Sequence, residues 1–202
     1  MRQRLLTAID DSIRALEQLK QPQAVGFIED VAELLASCFK NGSKLIVAGN
    51  GGSLCDAAHF AEELTGFYRD KRPALPAIAL SEPGHMSCVG NDVGFEFIFS
   101  RGIEAYGQKG DIFVGLTTSG NSTNLIKAFE AAKVKGLTTI AFLGKGGGKL
   151  KGVADQELII EGFKYSDRIQ EAHMAAIHMI IELMEAILFP IEQKNKITSA
   201  HV

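Results

Sequence analysis

The sequence predicts an α/β fold, a five-stranded parallel sheet with helices on both faces, and three features carry that prediction. Short, almost wholly apolar runs alternate along the chain with longer stretches of helical periodicity, as expected when crossover helices bury both sides of the strands. Two of these runs, Lys44 to Ala48 and Asp111 to Leu116, lead straight into polar turns that open helices. The pattern closes on a long apolar helix from Ser166 to Phe189.

Two amphipathic helical stretches come first, Gln3 to Leu19 and Ala24 to Lys40, and Gly42 follows the second as a C-terminal glycine does. Residues 1–41 thus read as a helical pair, 42–190 as the sheet with its helices, and 191–202 as a short tail. After the first strand come a helix from Ser53 to Thr65, a loop rich in Arg, Lys and Pro, and a strand over Ala77 to Leu80. A helical stretch from Phe95 to Tyr106 precedes the third strand; a helix from Asn121 to Lys135 and a strand from Leu137 to Phe142 follow it. A glycine-rich turn, Gly144 to Gly148, and a strand over Glu157 to Ile160 lead into the final helix. No linker or internal repeat divides the chain, so a single domain is expected.

Composition narrows the function. At 202 residues and 46% hydrophobic content the chain can bury one sizeable core. Its net charge is −3 and no run of Lys or Arg stands out, which argues against a nucleic-acid or membrane-surface partner. The N-terminal segment interrupts its apolar residues with acids, unlike a signal peptide, and a cytoplasmic location is expected. Cys38, Cys55 and Cys88 lack CxxC spacing and read as reduced thiols.

The two polar turns are Gly49-Asn50-Gly51-Gly52-Ser53 and Thr117-Thr118-Ser119-Gly120-Asn121-Ser122. A tight turn beyond the carboxyl end of a parallel strand aims backbone N–H groups and a helix N-terminus at one point, where an anion is favoured. The first turn is not a dinucleotide fingerprint, because Leu54 holds the third glycine position, and no Lys-Ser or Lys-Thr pair makes it a Walker loop. The second turn puts four hydroxyls within six residues, more than one helix cap needs. Two such cradles in one chain point to a sugar phosphate.

Candidate reacting groups lie on two helices. His59 and Glu63 are four residues apart, one turn on one helix face, which suits a metal site, an acid–base pair or a plain surface contact. The last helix offers Gln170, Glu171, His173 and His178 among apolar neighbours. His173 and His178 stand roughly 140° apart around that helix, so at most one should enter any single site.

Taken together and in order, Gly49 to Ser53, His59-Phe60-Ala61-Glu62-Glu63-Leu64-Thr65-Gly66, Gly90-Asn91-Asp92, Thr117 to Ser122, and Arg168-Ile169-Gln170-Glu171 with His178 resemble the bacterial phosphoheptose (sedoheptulose 7-phosphate) isomerases of the sugar isomerase (SIS) domain superfamily. The resemblance spans nearly the whole chain and implies a single SIS domain and a homotetramer with active sites at subunit interfaces. It also implies interconversion of sedoheptulose 7-phosphate and D-glycero-D-manno-heptose 7-phosphate through an enediol, the first step toward the ADP-heptose of lipopolysaccharide core. Carried over by motif, Glu63 is the carbon base and His178 its acid–base partner, and one zinc ion per subunit is held by His59, Glu63, Gln170 and His178. Ser53, Ser119 and Ser122 take the phosphate, with Thr117 and Thr118 nearby, and Asn50, Gly51, Gly52, Asn91, Asp92 and Gln170 hold the sugar. Gln170 and His178 are about 12 Å apart in helix rise, so both reach one ion only if they lean together or come from different subunits.

Two positions depart from the family pattern: Phe67 replaces an Arg, and Leu54 a His or Ala. The alternative from another class is a related SIS scaffold that binds the replication initiator DnaA; it shares the glycine turn and the Arg-Ile-Gln-Glu stretch but lacks the paired glutamates and the final-helix histidine. Glu62, Glu63 and His178 are all present here, which places the enzyme first. A sugar-phosphate sensor ranks lower, because no DNA-binding segment accompanies the domain.

Overall fold

A computed structural model describes residues 1–190; the expected tail, 191–202, lies outside the described residues. The chain forms α1 (Arg2–Glu17), α2 (Pro22–Lys40), β1 (Leu45–Gly49), α3 (Gly52–Thr65), β2 (Ala77–Ala79), α4 (Pro83–Asp92), α5 (Ile98–Tyr106), β3 (Ile112–Thr117), α6 (Thr123–Val134), β4 (Thr138–Gly144), β5 (Gln156–Ile160) and α7 (Ser166–Leu188). All strand pairings are parallel, in the order β2-β1-β3-β4-β5. This is the expected fold class.

The central strands β1 and β3 are buried throughout because both their faces are covered. In β1, Leu45 and Val47 join the core shared with α2, α3 and α7, while Ile46 and Ala48 join the core shared with α5 and α6. Successive strand residues point to opposite faces, so one five-residue strand serves two cores. The chain leaves β1 toward β2 on one side and returns through β3 on the other. That makes the β1–β3 seam the switch point of the sheet, the place where ligands sit in open parallel sheets. Gly49 pairs with Leu116 there, so the two polar turns emerge side by side.

One helix escapes the sequence reading. α4 covers Pro83–Asp92, a stretch whose Gly84, Gly90 and Asn91 weaken any helical signal. Its start is set by Pro83 at the first helical position and by Glu82, whose carboxylate accepts hydrogen bonds from Gly84 N and His85 N. Asp92 is therefore the last residue of a helix. Elsewhere the expected boundaries hold to within one or two residues, except that the stretch expected from Phe95 opens with a 3-10 turn, Phe95–Phe97, before α5 begins at Ile98.

Candidate active site

Three helices start at the carboxyl edge of the sheet with no side-chain cap: α3 after Gly51, α6 after Ser122 and α7 after Tyr165. Ser53 N and Leu54 N of α3 turn back onto Asn50 O and Gly51 O, and Leu125 N of α6 onto Ser122 O, which leaves the earlier first-turn N–H groups, those of Gly52, Thr123 and Asn124, as the donors at the switch point, where an anion would be favoured. Ser122 occupies the cap position of α6, yet its hydroxyl meets Thr117 Oγ1 at 3.3 Å and does not cap the helix. Thr118 Oγ1 meets Ser166 Oγ at 2.9 Å, and Ser119 Oγ accepts from Asn121 N at 3.2 Å. Between the two turns lies a cleft of about 680 Å³ lined in part by Asn50, Gly51, Leu54, Ser122, Thr123 and Asn124, within the usual size of small-molecule sites.

The first turn is tied down from two sides. Asn50 and Asn124 exchange a reciprocal pair of amide hydrogen bonds, at 3.0 and 2.9 Å, and Asn124 is buried. Gln170 donates from Nε2 to the buried Ser53 hydroxyl at 3.3 Å. A Cβ at Gly52 would lie 2.6 Å from that amide nitrogen, so a side chain there would push the Gln170 amide off Ser53.

The reacting groups gather further along the same two helices. His59 Nε2 lies 3.1 Å from Glu63 Oε1, and the His59 and His178 rings meet edge-on with centroids 5.1 Å apart. His59, Glu63 and His178 each offer a ligand atom, and these atoms lie within 4.8 Å of one another. Two imidazole nitrogens and a carboxylate oxygen are donors that suit a zinc-like ion. Tyr68 stacks on His178 with centroids 5.5 Å apart. Burial, with smaller contributions from His59 and Arg69, holds the His178 pKa below its ordinary value against the opposing pull of Glu63, which favours the neutral ring.

Gln170 sits with Ser53, at the start of α3, while His178 sits with His59 and Glu63 near its end. α3 and α7 therefore lie side by side in the same sense. Within one chain the structure brings together three of the four expected metal ligands and leaves Gln170 at the first turn. Asn91 and Asp92 lie exposed at the end of α4, where Asn91 Nδ2 donates to Asp92 Oδ1 at 2.6 Å. His173 leaves the site altogether: fully buried, its Nε2 meets Leu143 O at 2.9 Å, as the 140° separation from His178 anticipated.

The family model of the SIS domain matches residues 9–144. The chain is 60% identical to the phosphoheptose isomerase of Fusobacterium nucleatum over 80% of its length and 83% of the relative's. It is 56% identical to that of Vibrio cholerae, with 83% and 87% covered. The chain belongs to the phosphoheptose isomerase family of SIS domain proteins. Its fold superposes on phosphoheptose isomerase GmhA from Neisseria gonorrhoeae with a TM-score of 0.83 at 34% identity, covering 92% of this chain and 98% of that one. The Francisella tularensis phosphoheptose isomerase gives 0.84 at 32% identity, covering 90% and 96%.

Several residues of this phosphoheptose isomerase family member escaped the sequence reading. Asn124, Tyr68 and Arg72 reach the site only through the fold. Asp56 precedes His59 and Glu63 by three and seven residues on one helix face, a spacing that was legible. Its Oδ2 is buried with no hydrogen-bond partner among the described residues, and burial raises its pKa to about 6 against the attraction of His59.

Proposed function

We propose that the protein converts sedoheptulose 7-phosphate to D-glycero-D-manno-heptose 7-phosphate through an enediol, supplying the first step toward the ADP-heptose of lipopolysaccharide core. The observation that carries this reading is the convergence of Glu63, His59 and His178 near the end of α3, a helix whose uncapped N-terminus opens at the sheet's switch point with that of α6, in a chain 60% identical to a phosphoheptose isomerase. The phosphate docks on the α6 turn through Ser119 and Ser122, with Thr117 and Thr118 behind them and Ser53 opposite. Asn50, Gly51, Gly52 and Gln170 line the sugar, and Asn91 and Asp92 complete its binding.

Glu63 removes a proton from C1 of the open-chain ketose and returns it to C2, so the carbon skeleton passes through a 1,2-enediol. Neutral His178 moves the second proton from the C1 oxygen to the C2 oxygen, which leaves an aldehyde at C1 and a hydroxyl at C2. A carboxylate and an imidazole are the usual carriers for such transfers. Zinc held at His59, Glu63 and His178 would polarise the carbonyl as a Lewis acid, with Gln170, held on Ser53 within one chain, reaching it as the fourth ligand only from a neighbouring subunit. A homotetramer with interfacial sites and a cytoplasmic setting complete the reading; three free thiols, Cys38, Cys55 and Cys88, fit the latter. The scaffold alternative gives no role to the Glu63–His178 meeting.

An isomerase assay with sedoheptulose 7-phosphate and added zinc, comparing the native chain with Glu63→Gln and His178→Gln, tests the proposal. Each variant should lose about 10²–10⁴-fold in kcat while remaining folded. Turnover undiminished in both, or none in the native chain, would overturn it.

A further inference from the structure

We propose that Arg72 is a positioning residue for proton transfer, clamping the end of α3 that carries Glu63 against the face of α7 that carries His178. The proposal rests on the reading of Glu63 and His178 as the proton-transfer pair. Arg72 and Glu185 are both buried, and Arg72 Nε donates to Glu185 Oε1 at 2.7 Å. A buried guanidinium is tolerated only when its donors are engaged. Nη2 donates to Glu63 O at 2.7 Å, and Nη1 to Leu64 O and Gly66 O, also at 2.7 Å.

These carbonyls are the ones a helix end leaves without partners. Gly66 N satisfies Glu62 O at 2.8 Å, and Leu64 O accepts from Leu75 N at 2.9 Å as well as from the guanidinium; Glu63 O ends on the guanidinium. A cation at a helix C-terminus is also favoured by the helix dipole. Glu63 lies in this last turn, where helices fray, so the backbone of the proposed base is held by the side chain of Arg72.

The other end of the clamp is in register with the site. Glu185 follows His178 by seven residues, two turns with an offset of about 20°. Residues 68–72 meet α7 at three successive points on that face: Tyr68 on His178 at 5.5 Å, Arg69 on Glu182 at 2.8 Å and Arg72 on Glu185. The Arg69–Glu182 pair is more than half exposed and contributes little. Arg72 is desolvated and forked, and a lysine ammonium could not span Glu185 and the carbonyls together. Misplacement of a reacting group by ~1 Å can cost ~10²-fold in rate, which is the scale on which this clamp acts.

The test compares Arg72→Met, Arg72→Lys, Glu185→Gln and the double variant Arg72→Met/Glu185→Leu with the native chain. It measures Tm, kcat and KM for sedoheptulose 7-phosphate, and calorimetric binding of Zn²⁺ alone to metal-stripped protein. Removing both charges together leaves no buried ion unpaired, so the double variant should regain much of the Tm lost by Arg72→Met. Its kcat should nevertheless stay ~30-fold or more below native with KM within ~3-fold, and Zn²⁺ should bind ~10-fold more weakly. Recovery of kcat along with Tm would reduce the pair to fold stabilisation and overturn the proposal. Should Arg72→Met fail to fold, Arg72→Lys and Glu185→Gln supply the same comparison: kcat falling beyond what Tm explains supports the clamp, and kcat tracking Tm refutes it. Glu63→Gln, assayed alongside, separates the two readings: full turnover in it removes the basis of both, whereas its loss beside a fully active double variant removes only the clamp.

Discussion

His173 shows how a single buried imidazole ties stability to pH without taking part in the chemistry. It is fully buried, its Nε2 must carry the proton donated to Leu143 O, and Phe142 packs edge-on at 5.6 Å. Burial lowers its pKa to about 4 despite that hydrogen bond, whereas the unfolded chain titrates near its ordinary ~6.5. As pH falls below ~6.5 the unfolded chain takes up the proton first. The stability His173 lends is therefore whole above that value and lost progressively down to about 4. By pH ~5 the loss should be about 2 kcal/mol. Urea unfolding of native protein and His173→Gln at several pH values between 7 and 5 checks this: the native curve should fall more steeply, and parallel curves would refute it. The separate destinies of the two histidines were legible from their spacing, since five residues on one helix cannot face one site. The neighbours that trap His173 were not, because Phe142 and Leu143 lie some thirty residues upstream on a strand.

At the scale of elements, the hydroxyl turn is as much a packing problem as a binding site. Gly120 has φ +63°, and a Cβ there would fall 1.7 Å from Gly147 O in the glycine-rich turn after β4. Leu150 N donates to Gly120 O at 3.1 Å and Lys149 N to Asn121 Oδ1 at 3.2 Å. Two backbones thus lie against each other with no room for a side chain, and neither can move without the other. Gly120→Ala should destabilise the fold by roughly 2–4 kcal/mol through combined clash and backbone strain. It should also raise KM for the sugar phosphate about tenfold or more, through displaced phosphate donors, with a smaller change in kcat. Denaturant melts and steady-state kinetics would show it, and a variant of native stability and KM would disprove the packing argument. Both glycine-bearing turns and the strands before them could be read from local pattern. The Asn50–Asn124 exchange could not, because it joins residues 74 positions apart, and α4 was hidden by residues that are poor helix formers yet well capped. Periodicity reports what a segment buries, and a short helix held by its cap and its tertiary contacts gives little such signal.

At the scale of the whole molecule, the outer helices carry more apolar surface than a free-standing chain requires. Leu5, Ile9, Ile13 and Leu16 are each at least 41% exposed along α1, and Met179, Leu183 and Ile187 are all about 40% exposed along α7. Each set recurs at helical spacing, so each forms a stripe, and contiguous apolar stripes of this kind mark association surfaces. Assembly and chemistry then make separable demands on the chain. His59, Glu63 and His178 meet within one copy, whereas Asn91 and Asp92 sit exposed at the end of α4 with their hydrogen bonds running to each other and to Cys88. If a neighbouring copy completes the sugar site, charges on the stripes, as in Ile9→Asp/Ile13→Asp, should yield a smaller species that keeps its circular dichroism and its Zn²⁺ binding. The same variant should lose about 10²-fold or more in kcat/KM, the cost of removing several sugar contacts at once. Light scattering and kinetics on the same samples decide it. A native chain that runs as a monomer at micromolar concentration, or a monomeric variant with full turnover, would show that one copy holds everything the reaction needs.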